Sequence, residues 1–253
     1  MCHESCPVPV SGGAGIAEET VEVPGSGVAL PALLARPEGD GRAPALLIVH
    51  DINGPNAFYR DLARRLAGEG FVALLPDLFV REGKVAETSR DAVMERAGRI
   101  DQTSALADIA AALGWLREHA ATTGAAGTIG FCMGGTLVML AAARDTRPDA
   151  VVAFYGFPAR PATERALRRP LDEAAEVRSP LLAFWGDADA GVGMENVEAY
   201  RTALVAADVP HEFEIYPGYP HGFLTFDEAS PWAEKSRDAW RRTVAFLRAE
   251  LDG

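Results

Sequence analysis

The chain predicts an α/β protein with a mostly parallel central sheet and helices on both faces, and three observations predict it. Short continuous apolar runs at 45–49, 71–75, 150–155 and 181–185 have the length of strands buried on both sides. Amphipathic stretches separate them: at 56–68, Phe58, Leu62 and Leu66 recur at helical spacing opposite Arg60, Asp61, Arg64 and Arg65. Polar residues suited to chemistry sit in the loops after the strands, where open parallel sheets bind ligands.

Residues 1–17, rich in Gly, Pro and Ser, read as an irregular tail ahead of a single domain over 18–253. Stretches 20–23 and 29–36, joined by Pro24-Gly25-Ser26-Gly27, read as an antiparallel hairpin at a sheet edge. Strand 45–49, helix 56–68 and strand 71–75 make one βαβ unit, so those strands run parallel. Residues 79–100 are charged and weakly periodic, a loop with a short helix and a candidate lid. From Asp101, the residues Leu106, Ile109, Leu113 and Leu116 mark a helix ending near His119. A short strand at 127–129 and an apolar helix at 136–143 flank Gly130-Phe131-Cys132-Met133-Gly134-Gly135. Strands at 150–155, 181–185 and 212–216 follow, with a helix at 194–206. The last helix is expected to take Ser230 as its cap and Pro231 at its first position, with Trp240, Val244, Leu247 and Leu251 along one face.

Composition narrows the function classes. Apolar residues at 48% and charged residues at 24% fit a globular protein with a substantial core. With 36 acidic against 24 basic residues, the net charge of −12 repels nucleic acid and anionic membranes. No apolar run approaches the roughly 20 residues that span a bilayer, and the N-terminus lacks the pattern of a secretion signal, so a cytoplasmic protein is expected. Three cysteines make no disulfide framework and suit a reducing compartment. Cys2, His3 and Cys6 hint at a metal, but no second ligand pair follows, and they read as part of the tail.

The order strand, glycine-flanked nucleophilic residue, helix over 127–143 is that of a nucleophile elbow. A side chain at the tip of so sharp a turn is crowded unless its neighbours lack a Cβ, and Gly130, Gly134 and Gly135 meet that need. The helix N-terminus lowers a thiol pKa and stabilises an oxyanion, so cysteine is chemically sound there. Four loops at strand ends carry, in order, Asp51, Cys132, Asp189 and His221. Nucleophile, acid and histidine in that sequence fit a catalytic triad, in which a histidine activates the thiol and a carboxylate orients the histidine. Asp187 is a rival acid two residues away, with capping of the loop as its other role. His50 adjoins the site, while His3, His119 and His211 read as solvated.

On the His50–Gly54 loop, Pro76-Asp77-Leu78, the cysteine elbow, Gly186 to Asp189, Tyr216-Pro217-Gly218 and His221-Gly222-Phe223, the chain resembles the dienelactone hydrolase family of the α/β-hydrolase fold from about residue 20 onward. The resemblance implies a Cys132, Asp189, His221 triad and an oxyanion hole made by the backbone N–H groups of Ile52 and Met133. It implies a thiol-activating role for Asp51, which stands where the family usually has a glutamate. It also implies that Arg81 binds a substrate carboxylate, whereas Thr225 stands where a second arginine would be and Gly193 replaces a usual proline. The expected reaction is hydrolysis of a small-molecule ester or lactone through a thioester, with no metal or organic cofactor. A non-hydrolytic ligand receptor is the alternative from another class. A thiol peroxidase or redox sensor would need Cys2 or Cys6 as resolving cysteine.

Overall fold

The computed structural model describes residues 15–85 and 89–252, so Cys2, His3 and Cys6 lie outside the described residues. Eight strands form one sheet in the order β1-β2-β4-β3-β5-β6-β7-β8. The hairpin of β1 (Ile16–Pro24) and β2 (Ala29–Pro37) forms its antiparallel edge, and β2 continues antiparallel onto β4 (Val72–Pro76). From there every pairing is parallel, through β3 (Ala43–Val49), β5 (Thr122–Phe131), β6 (Val151–Phe154), β7 (Leu181–Gly186) and β8 (His211–Tyr216). Helices α1 (Ala57–Gly68), α2 (Arg90–Arg99), α3 (Gln102–Glu118), α4 (Met133–Ala141), α5 (Met194–Ala206) and α6 (Ala233–Leu251) flank the sheet.

Parallel strands set the position of the chemistry. The loops carrying Asp51, Cys132, Asp189 and His221 follow β3, β5, β7 and β8, so all four emerge at one rim. The central strands are buried on both faces: every residue of β4, β6 and β7 is buried. No helix among the described residues is long and apolar enough to cross a membrane.

Several boundaries differ from the sequence reading, each for a physical reason. β1 begins at Ile16, because an edge strand with Val23 as its one buried residue offers little alternation to read. β5 starts at Thr122 and not near 127, since residues 123–125 are exposed or half-buried and carry no apolar run. α4 begins at Met133, directly after the elbow cysteine; its first turn contains Gly134 and Gly135, which have poor helix propensity. α6 begins at Ala233, two residues beyond Pro231. Ser230 accepts from the Trp232 N–H at 3.2 Å within the preceding turn and does not cap the helix. His119 and His211 are half-buried, not solvated: Nδ1 of His119 accepts from the Ala121 N–H at 3.2 Å, and Nδ1 of His211 donates to the Val209 carbonyl at 2.7 Å.

Candidate active site

Cys132 sits at the junction of β5 and α4 with φ 55° and ψ −113°, a left-handed backbone that an L-residue adopts only where the surroundings enforce it. The glycines enforce it. A Cβ on Gly134 would overlap the Val49 carbonyl and one on Gly130 would overlap the Gly134 carbonyl, while one on Gly135 would come to 2.7 Å from the Phe154 carbonyl. The thiol is in no disulfide among the described residues and is buried, at the N-terminal end of α4.

His221 follows β8, and its Nδ1 meets Asp189 Oδ2 at 2.6 Å. Asp189 is buried, and its other oxygen accepts from the N–H groups of Gly191 and Val192 at 3.0 and 3.2 Å. That leaves the histidine Nε2 as the nitrogen on the side away from the carboxylate. Asp187 instead accepts from the Gly218 N–H at 2.6 Å, the loop-capping role. Gly193 has φ +76°, which proline does not reach, and its N–H donates to the Asp189 carbonyl at 3.3 Å, a bond proline cannot make.

The cysteine and the histidine share a seat at the end of β6. The Cys132 N–H donates to the Phe154 carbonyl at 3.0 Å, and the ring of the next residue, Tyr155, lies 5.0 Å from that of His221. Phe157 lies 5.4 Å from the same imidazole, and its N–H donates to Thr136 Oγ1 at 2.9 Å, on the first turns of α4. Tyr155 is itself left-handed, with φ 40°, so strain accumulates where these groups meet.

Asp51 is fully buried and accepts from the Asn53 N–H at 2.8 Å. The phenol of Tyr59 is held well above its ordinary pKa, first by burial and then by the charges of Asp51, Tyr155 and Cys132. The N–H groups of Ile52 and Met133 donate to no protein acceptor among the described residues. Both residues line a cavity of about 210 Å³ that also touches Thr136, Phe157 and Arg160.

The family model of the dienelactone hydrolase family matches residues 30–251. The chain belongs to the dienelactone hydrolase family. A Methylorubrum extorquens protein provisionally named carboxymethylenebutenolidase is 30% identical over 237 residues, covering 92% of this chain and 81% of the relative. A Bradyrhizobium protein provisionally named 2-oxo-3-(5-oxofuran-2-ylidene)propanoate lactonase is 33% identical over 242 residues, covering 94% and 96%. A Klebsiella pneumoniae crystal structure, provisionally titled a dienelactone hydrolase, superposes with a TM-score of 0.86 at 31% identity, covering 92% and 98%. The α/β-hydrolase fold follows, and the protein is a dienelactone hydrolase-like ester or lactone hydrolase of an enzyme family that acts on small molecules. The receptor alternative therefore goes no further.

Arg81, expected to bind a substrate carboxylate, has protein partners of its own. Arg81 is not among the residues lining the cavity: its guanidinium makes a two-pronged pair with Asp108 on α3, at 2.6 and 3.0 Å, and a bond to the Ser26 carbonyl at 2.6 Å. Asp108 is fully buried and needs that cation, which ties Arg81 to a structural pair. Thr225 is also spent locally, accepting from the Asp227 N–H at 3.1 Å. The sequence reading missed Tyr59, Tyr155, Phe157 and Arg96. The aromatics look like ordinary core, and Arg96 falls in the weakly periodic 79–100 stretch, where a buried arginine has the pattern of a solvated one.

Proposed function

We propose that the protein hydrolyses enol-lactones or activated aryl esters through a Cys132, His221, Asp189 triad. One observation carries the reading: a buried carboxylate bonded to His221 Nδ1 at 2.6 Å, across the β6 end from a cysteine held in left-handed geometry at a helix N-terminus. In this mechanism His221 Nε2 takes the thiol proton as sulfur attacks the carbonyl carbon, with Asp51 in the usual glutamate's part of helping to ionise the thiol. The oxyanion accepts from the Ile52 and Met133 N–H groups. Collapse expels the enolate or phenolate, which takes the proton from His221. Water, deprotonated by His221, then attacks the thioester, and the thiolate leaves. Enol and phenol esters suit this chemistry because their leaving groups compete with a thiolate for expulsion. A reducing, cytoplasmic setting suits a mechanism that needs a free thiol.

Acid quench of the protein during turnover of a p-nitrophenyl ester is expected to leave the acyl group on the peptide containing Cys132, seen as its mass increment. Acyl label found only on another residue overturns the mechanism.

The substrate we infer carries a carboxylate. Four arginines, Arg160, Arg165, Arg168 and Arg169, and no acidic residue line the cavity, although the chain has more acidic residues than basic ones. Arg168 and Arg169 pair with Glu173 and Asp172, whereas Arg160 stacks on Phe157 at 3.8 Å and Arg165 donates to the Arg99 carbonyl at 3.3 Å. These two cations face a substrate whose carbonyl lies at Ile52 and Met133. The name of the Bradyrhizobium relative describes such a molecule, a lactone bearing a propanoate. For an aryl ester with a free carboxylate, Arg160→Ala combined with Arg165→Ala is expected to raise KM about tenfold, at the low end for charge-assisted contacts at exposed positions. The neutral counterpart should be unaffected; equal changes for both esters sink the assignment.

A further inference from the structure

A peptide unit is planar and trans, so its C=O and N–H point in opposite directions, and holding one aims the other. The Ile52 N–H belongs to the peptide whose carbonyl is that of Asp51. This carbonyl accepts from His50 Nδ1 at 2.8 Å and from the Gly54 N–H at 3.2 Å. The next carbonyl, that of Ile52, accepts from Arg96 Nη2 at 2.9 Å. On either side, the Asp51 N–H donates to Tyr59 Oη at 3.2 Å and the Asn53 N–H to Asp51 Oδ1 at 2.8 Å. The peptides bordering the Ile52 N–H are thus held in place, and that N–H itself donates to no acceptor among the described residues.

The two residues doing the holding are both buried. His50 is fully buried with both ring nitrogens engaged: a carbonyl can only accept, so Nδ1 carries the proton, and Nε2 accepts from the Leu78 N–H at 3.1 Å. Burial lowers its pKa to about 4, which keeps the ring in that neutral form. Arg96 is 8% exposed, forms no ion pair among the described residues and leaves its Nε without a partner. A buried guanidinium is costly as mere packing. Phe79 links the two, its ring 5.2 Å from that of His50 and 4.1 Å beneath the Arg96 guanidinium. The Pro76-Asp77-Leu78 signature thereby acquires a task, since it delivers the Leu78 N–H and the Phe79 ring to this stack.

We propose that His50 and Arg96, stacked through Phe79, are positioning residues that aim the Ile52 N–H at the developing oxyanion. The proposal rests on the oxyanion-hole reading above. It also ties α2 to catalysis, because that helix contributes the Arg96 half of the clamp.

Two amide side chains separate the functions of the His50 ring. Asparagine offers an N–H at the place of Nδ1, and glutamine offers an acceptor at the place of Nε2. In the full-length protein, His50→Asn is expected to keep kcat for an aryl ester within about fivefold, while His50→Gln lowers it about 10²-fold with little change in KM, the usual scale for a misplaced oxyanion donor. Arg96→Lys should lower kcat about tenfold. Alkylation of Cys132 by iodoacetamide, followed on its own peptide so that Cys2 and Cys6 do not interfere, forms no oxyanion and should proceed at the wild-type rate in all three variants. Wild-type kcat in His50→Gln and Arg96→Lys, or kcat and alkylation falling by one common factor, overturns the clamp. Failure of the underlying reading looks different: wild-type Cys132 would then be inert to iodoacetamide.

Discussion

Replacing Cys132 by alanine is expected to reduce aryl-ester hydrolysis by about 10⁴-fold or more, with the melting temperature within a few degrees of wild type. The scale is that of removing a member of a catalytic triad, where the remaining donors and binding contacts keep only residual catalysis. Stability should change little because cysteine and alanine are both small and the thiol is a minor part of a large core. The elbow backbone is enforced by glycines that the substitution leaves in place, so the pocket around the missing sulfur should persist. Steady-state kinetics and a thermal melt on the same preparation check both halves. Equal rates in wild type and variant remove the sulfur from the mechanism.

The second large effect is expected at the acid. Asp189→Asn should lower kcat about 10⁴-fold, since an amide facing His221 Nδ1 no longer stabilises the imidazolium and can favour the wrong tautomer. Asp187→Asn should stay within about fivefold, because an amide oxygen can still accept from the Gly218 N–H. Kinetics of the two variants side by side decide between the carboxylates. A larger loss in Asp187→Asn reverses the assignment.

Much of this was legible in the sequence, for reasons that differ between parts. Strands β3, β4, β6 and β7 are buried on both faces, so their continuous apolar runs could be read directly. The elbow could be read because steric demands confine it to glycines at fixed offsets from Cys132. The choice of Asp189 over Asp187 is supported by separate partners, one histidine and one backbone N–H, that lie 32 and 31 residues away along the chain. The pairing of Arg81 was hidden for the same reason in reverse. Its partner, Asp108, lies 27 residues further on, and nothing local to Arg81 reveals that a buried carboxylate claims it. Arg96 was hidden because a helical arginine facing inward leaves no periodic trace when its target is a backbone carbonyl.

The segment from residue 158 to 169 contributes no strand to the sheet, yet it brings Arg160, Arg165, Arg168 and Arg169 to the cavity wall. The proposed triad, by contrast, hangs from β5, β7 and β8. On the proposed reading, choice of molecule and cleavage of its bond are written in separable pieces of polypeptide. Exchanging that one excursion for another would retune selectivity while the reactive machinery stayed intact, a division of labour that lets a single scaffold diversify without relearning its chemistry.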